Sequence, residues 1–279
     1  MLHRWVLLLA AVAALVSAPS YASAGGRPTF ISINACTDQL LIALADPDQI
    51  LGVTRYARDP EQSPLAEQAA RLPAVSGTAE EVLAGQPDIV LAGRFTRRAT
   101  REFIRARGFR IVEYDAARSL DEAKRNITEV ARLVGHPERG EAALQTIDLA
   151  IARARAASAG RTGTVLPLQR RGWISGQDTL TTSLVEAIGL RNAGAVLSRG
   201  LGRQVSLEQI VALRPDYLLL SGSGRAEDQG SALLQHPALA ALYPPEKRIA
   251  MPDRLVFCGG PSLAGAIDAL VAEVARLPR

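Results

Sequence analysis

Two stretches of the chain repeat one another at a separation of 128 residues: TAEEVLAGQPDIVL at 78–91 and SLEQIVALRPDYLL at 206–219. Five of the fourteen aligned positions are identical. Such a duplication restricts the fold to two copies of one structural unit. Each copy opens on a capping box, Thr78 with Glu81 and Ser206 with Gln209, which supplies partners for the free N–H groups of a helix start. Each helix must stop before Pro87 or Pro215, and the aliphatic runs that follow read as buried parallel strands. A chain of 279 residues has room for two such units, each with its own core.

The rest of the chain fits the duplication. TFISINA at 29–35 is a strand, followed by a loop at Cys36 and Thr37 and a helix over Asp38 to Leu44. TVLPLQ at 164–169 opens the second half in the same way, with a loop over 170–179 and a helix from Thr181 to Ile188. Helix and strand alternate throughout, so the expected fold class is α/β, two lobes with parallel sheets. Between them Leu120, Ala123, Ile127, Val130, Leu133 and Val134 recur at helical spacing after a cap at Ser119. A second helix is expected from Glu138 to Ser158, where about 21 residues at 1.5 Å each would span about 32 Å. The expected organisation is residues 25–118 and 161–279 as lobes and 119–160 as a stiff helical linker. A flexible linker would need more Gly, Ser and Pro than this stretch holds.

Residues 1–24 read as a secretory signal: His3 and Arg4, an apolar run from Trp5 to Val16, then small residues ending at Ala24, after which cleavage is expected. The run is too short to span a bilayer, which takes about 20 residues. An uncleaved anchor is the alternative; with cleavage, the location is the periplasm of a Gram-negative cell. Thirty-two basic and twenty-eight acidic residues, interspersed, do not announce a nucleic-acid partner.

On CTDQLLIALADPDQILGVT at 36–54, the paired E-x-[IV]-x-A-x-x-P-D segments and FCGGPSLAGAIDAL at 257–270, the chain resembles the periplasmic binding proteins of ABC importers for iron-siderophore, haem and cobalamin. The resemblance implies a metal-chelate ligand held between lobes, little hinge closure, a monomer, no resident cofactor or metal, and docking onto a permease dimer. Glu80 and Glu208 stand one place before the capping-box partners, at equivalent points of both repeats. An acid there complements a helix dipole. In the resembled family a glutamate at this place in each lobe pairs with permease arginines, so both are candidate docking residues.

Ligands of open α/β sheets sit beyond the carboxyl ends of the strands. The candidate ligand contacts are therefore Cys36, Thr37, Arg55, Tyr56, Arg94, Phe95, Arg171, Trp173, Arg225, Phe257 and Cys258. Arginine forks suit anionic oxygens and aromatic rings suit flat apolar faces; the arginines favour an anionic ferric siderophore, although haem or a corrin would also use them, and the aromatics are sparse for cobalamin. Each arginine could equally be a solvated surface charge. Cys36 and Cys258 occupy matching loops; in an oxidising compartment they could be bridged, free or in contact with ligand. His136 and His236 each precede proline and read as turn residues. No H-E-x-x-H, C-x-x-C, G-x-S-x-G, P-loop or G-x-G-x-x-G occurs. An exported two-lobed enzyme, a hydrolase or metal-inserting lyase, is the competing reading, and a receptor for a free metal ion is a weaker third.

Overall fold

The structure, a computed structural model, describes residues 26–221 and 233–277. The signal segment and Arg225 lie outside them. The first half contains β1 (Phe30–Ser32), α1 (Ala35–Leu44), β2 (Ile50–Thr54), α2 (Ala66–Ala69), β3 (Ala74–Val75), α3 (Ala79–Gly85), β4 (Ile89–Ala92), α4 (Arg98–Ala106) and β5 (Arg110–Glu113). Its five strands lie in the order β3-β2-β1-β4-β5, all parallel. The chain reverses its direction of winding between β1 and β4, the kind of place where doubly wound sheets open a crevice.

Two helices follow, α5 (Leu120–Val134) and α6 (Pro137–Ala157). The second half holds β6 (Thr164–Leu168), β7 (Trp173–Ser175), α7 (Leu180–Ala187), β8 (Arg191–Asn192), β9 (Gly202–Gln204), α8 (Leu207–Leu213) and β10 (Tyr217–Ser221). It closes with α9 (Pro237–Leu242), β11 (Arg248–Met251), α10 (Asp253–Val256) and α11 (Leu263–Ala275). The second sheet runs β11-β10-β6-β7-β9, with β8 beside the start of β6.

This second sheet is mixed, which corrects the expectation of parallel sheets in both lobes. β10 and β11 run parallel to β6, but β7 is antiparallel both to β6 and to β9, so that β7 alone runs against the rest of this sheet. The cause is local. Arg171 and Gly172 both take positive φ, 59° and 71°, turning the chain back on itself so that Gln169 N–H donates to the Trp173 carbonyl at 2.7 Å. Trp173 therefore opens a strand instead of sitting in a loop.

The duplicated segments form the same unit twice. Both capping boxes close, at Thr78/Glu81 and Ser206/Gln209, and both helices end on a left-handed non-glycine residue, Gln86 or Arg214. The aspartate of each Pro-Asp pair then reaches back to the first strand of its lobe. Asp88 accepts from the backbone N–H and hydroxyl of Thr29, each at 2.8 Å, and Asp216 from those of Thr164 at 2.7 and 2.8 Å. The Pro-Asp signature is a clamp on the start of the central strand.

The linker helices are built into the core. Ile127 and Val130 of α5 and Ile147, Ala150 and Ala154 of α6 are wholly buried in one apolar cluster that reaches from Phe30 and Leu41 to Val165, Leu184 and Ile267. Gly140 lets α6 approach α5 closely: a Cβ there would lie 2.6 Å from that of Ala131. At the α5–α6 corner, buried His136 bonds Asp46 at 2.8 Å and Glu138 at 2.9 Å, while Arg139 and Arg27 complete the ring around Asp46. These partners hold the Asp46 carboxyl down at about 2, the Arg139 bond contributing most.

Candidate functional site

The walls of the site follow from the topology. β4 and β5 of the first sheet and β6 and β11 of the second end at one cleft of about 680 Å³. Arg94, Phe95 and residues 113–117 line the first-lobe side, and Gln169, Trp173, Ser175, Asp253 and Phe257 the opposite side. Phe95 is 83% exposed, Phe257 64% and Trp173 41%, so three large rings face solvent in one opening. Isolated exposed apolar residues need no explanation, but three around one cleft mark a surface meant to be covered.

The ring-bearing segment at 93–97 is held from several sides. Arg94 N–H donates to Asp115 at 3.0 Å and its guanidinium pairs with the same carboxylate at 2.6 Å. Gly93 N–H donates to the Thr96 hydroxyl, and Arg101 Nε donates to the Thr96 carbonyl. Phe95 is thus presented by a fixed loop. It also borders a second groove of about 870 Å³ across the carboxyl ends of β1 to β4, lined by Arg55, Tyr56, Glu80, Arg97 and Phe103 among others.

One wall comes from residues to which neither loop position nor repeat pointed. Arg118 lies just before α5, and Glu122, Arg125, Asn126 and Glu129 line the cleft along the helix. Their spacing forms a polar stripe beside the buried one at Ala123, Ile127, Val130, Ala131 and Val134. That stripe is visible in the sequence once α5 is read as a wall and not only as a connector. Arg118 also pairs across the lobes with Asp178 at 2.7 Å.

The charge balance is acidic. Arg94, Arg118 and Arg125 face Glu113, Asp115, Glu122, Glu129 and Asp253. Arg94 is paired to Asp115, Arg118 to Glu122 and Asp178, and Glu113 to Arg101 and Arg105. Desolvation raises the Asp253 carboxyl above its usual range and pushes the Tyr114 phenol up to about 12. Among the described residues no group of His, Cys, Asp and Glu is placed to hold a metal ion, and no helix is long and apolar enough to cross a membrane.

Several expected contacts move. Arg94, Phe95, Trp173 and Phe257 come together at the cleft, while Arg55 and Tyr56 line the adjoining groove. Thr37 is fully buried, its hydroxyl against Ser32 and the Asn34 carbonyl, and does not face a ligand. The reason is that α1 begins at Ala35, capped by Asn34, so Cys36 and Thr37 belong to the helix and not to a loop. Arg171 sits in the β6–β7 turn, outside both the cleft and the groove. Cys36 and Cys258 form a disulfide with Cα atoms 4.9 Å apart, which removes both sulfurs as ligand contacts. Asp38, next along, is wholly buried; it accepts from Thr54, and desolvation pushes its carboxyl up to about 7.

Two α/β lobes braced by buried helices, with an aromatic cleft at the carboxyl ends of their sheets, have the build of a solute receptor of the helix-linked kind. The chain belongs to the periplasmic binding protein family, whose sequence model matches residues 31–244. It is 26% identical over 199 residues to the vitamin B12-binding protein of Pectobacterium carotovorum, covering 69% of this chain and 71% of that one. It is 27% identical over 220 residues to the cobalamin-binding protein of Halobacterium salinarum, covering 75% of this chain and 58% of the relative. The apo periplasmic haem-binding protein RhuT from Roseiflexus sp. RS-1 superimposes with a TM-score of 0.73 at 26% identity, covering 90% of this chain and all of that one. These relatives are binding proteins, and the chain is a substrate-binding protein; nothing among them supports the exported-enzyme alternative.

Proposed function

We propose that the chain, exported with cleavage after Ala24, captures a cobalamin-type corrinoid between lobes at 25–118 and 161–279, linked through 119–160, and delivers it to an ABC permease. The observation that carries the choice of ligand is the pairing of three exposed rings with an acidic polar wall. A corrin is a broad disc whose rim carries amides that donate N–H to carboxylates, and its cobalt centre is cationic. Carboxylates such as Glu129 and Asp253 suit such a rim, and Phe95, Trp173 and Phe257 suit its faces. Haem propionates or a polyanionic ferric siderophore would meet arginines already engaged by Asp115, Glu122 and Asp178, and the carboxylates of Glu129 and Asp253 beside them, an unfavourable setting for an anion. This reverses the preference for an anionic siderophore drawn from arginine content. The halobacterial and enterobacterial relatives named above support the same choice.

Trp173 is the only tryptophan beyond Trp5, so its fluorescence reports on the cleft. Titration with cyanocobalamin is expected to quench it saturably with Kd at about micromolar or below, while haem and a ferric catecholate bind at least about tenfold more weakly. Preferential binding of either anionic chelate refutes the corrinoid reading.

For docking, α3 runs back to β4 and α8 back to β10, so by topology both helices start at the carboxyl-end side of their sheets. Exposed Glu80 and Glu208 therefore lie on the side on which the cleft opens. Glu80→Arg with Glu208→Arg is expected to leave ligand affinity within about twofold and to reduce transport by reconstituted permease at least about tenfold. Undiminished transport rejects the docking role.

A further inference from the structure

The interlobe disulfide lies where it can control the cleft. On the first lobe, Cys36 is in the opening turn of α1, its N–H bound to the capping oxygen of Asn34 at 2.9 Å. Asn34 in turn packs under Gly93, where an added Cβ would lie 2.7 Å from its side-chain nitrogen. Gly93 leads directly into Arg94 and Phe95, the fixed loop of the first-lobe wall. On the second lobe, Cys258 directly follows Phe257, the ring of the opposing wall.

The residues after Cys258 are also wedged between lobes. Gly259 has φ 69°, and a Cβ on it would approach Ala117 at 2.8 Å and Leu180 at 3.1 Å, while Gly260 abuts Gln39. Both cysteines are nearly buried, 5% and 6% exposed, whereas Phe257 itself is 64% exposed. An exposed ring on a short segment has few contacts of its own to fix it. Its neighbour's covalent bond supplies that constraint.

We propose that the Cys36–Cys258 disulfide is a positioning element of the ligand cleft: it ties the platform beneath Phe95 to the segment carrying Phe257 and so sets the spacing of the two facing rings. This rests on the reading of the cleft as the ligand site. The bond preorganises the slot for a flat ligand, reducing what ordering the Phe257 segment would otherwise cost on binding.

The test is a double-mutant cycle read with cyanocobalamin. Cys36→Ser/Cys258→Ser is expected to weaken binding about 10- to 100-fold, mainly through faster release. In a Phe257→Ala background the same change is expected to cost less than about threefold, because the ring the bond positions is gone. A disulfide that only stabilises the fold would show the same loss in both backgrounds. An equal loss, or no loss at all, overturns the proposal. Reducing the native protein with a phosphine repeats the comparison without refolding. Should the intact protein bind no corrinoid, the ligand reading fails on its own; amide exchange at Phe257–Gly260 then decides the positioning role. At least tenfold faster exchange on loss of the bond supports it, and unchanged exchange overturns it.

Discussion

Asp38 shows how much a single side chain of a motif can owe to its surroundings. In the sequence it is the third residue of CTDQ, next to two candidate ligand contacts. In the fold it is sealed under α1 against Thr54, and desolvation is the main reason its carboxyl titrates at about 7. The unfolded chain releases this proton near 3.8, so between about pH 4 and 7 the folded state binds more protons. Stability contributed by this group is therefore expected to fall as pH rises through that window. Asp38→Asn should flatten the pH dependence of the urea midpoint and gain on the order of 1–3 kcal/mol relative to wild type at pH 8. A variant whose midpoint follows pH as steeply as wild type contradicts the assignment. Thr37 carries the same lesson: its place after the first strand suggested a ligand contact, but a helix start about one turn earlier buries it.

The elements were legible wherever their signals are local. Capping boxes located α3 and α8, apolar periodicity located α5, and the proline stops held because a pyrrolidine cannot continue a helix. The second helix of the linker runs Pro137–Ala157, within a residue of the expected span at each end. What failed was the β6–β7 reversal, since it depends on Arg171 adopting a left-handed conformation that its residue type does not advertise. The α5–α6 crossing offers a direct check of the brace. Gly140→Val would place side-chain carbons against Ala131, and the expected cost is about 1–3 kcal/mol by denaturant unfolding, against the gain from leaving glycine behind. Unchanged or increased stability would mean that the helices are not held at this distance.

At the scale of the molecule, the two lobes share a core as well as a bond. The apolar cluster is continuous from β1 through α5 and α6 to α11, and Arg118 with Asp178 and the disulfide join the lobes near the cleft. Closure by a large hinge swing would have to break buried contacts on both sides of α6. Spin labels placed one on each lobe are therefore expected to change their separation by less than about 2 Å when cyanocobalamin binds. A displacement of several times that size would show that the buried linker does not restrain the lobes.

By itself the sequence determined the duplication, the alternation of helix and strand, the bracing helices and the positions of the paired glutamates, because capping, proline stops and apolar periodicity act between residues a few places apart. Only the tertiary structure decided which arginines are neutralised by acids, that a polar stripe on α5 walls the cleft, and that Cys36 meets Cys258 across 222 residues. Those outcomes depend on which groups distant in the chain are brought within a few ångströms. Charge pairing, desolvation and disulfide formation all act at that range, and sequence spacing does not encode it.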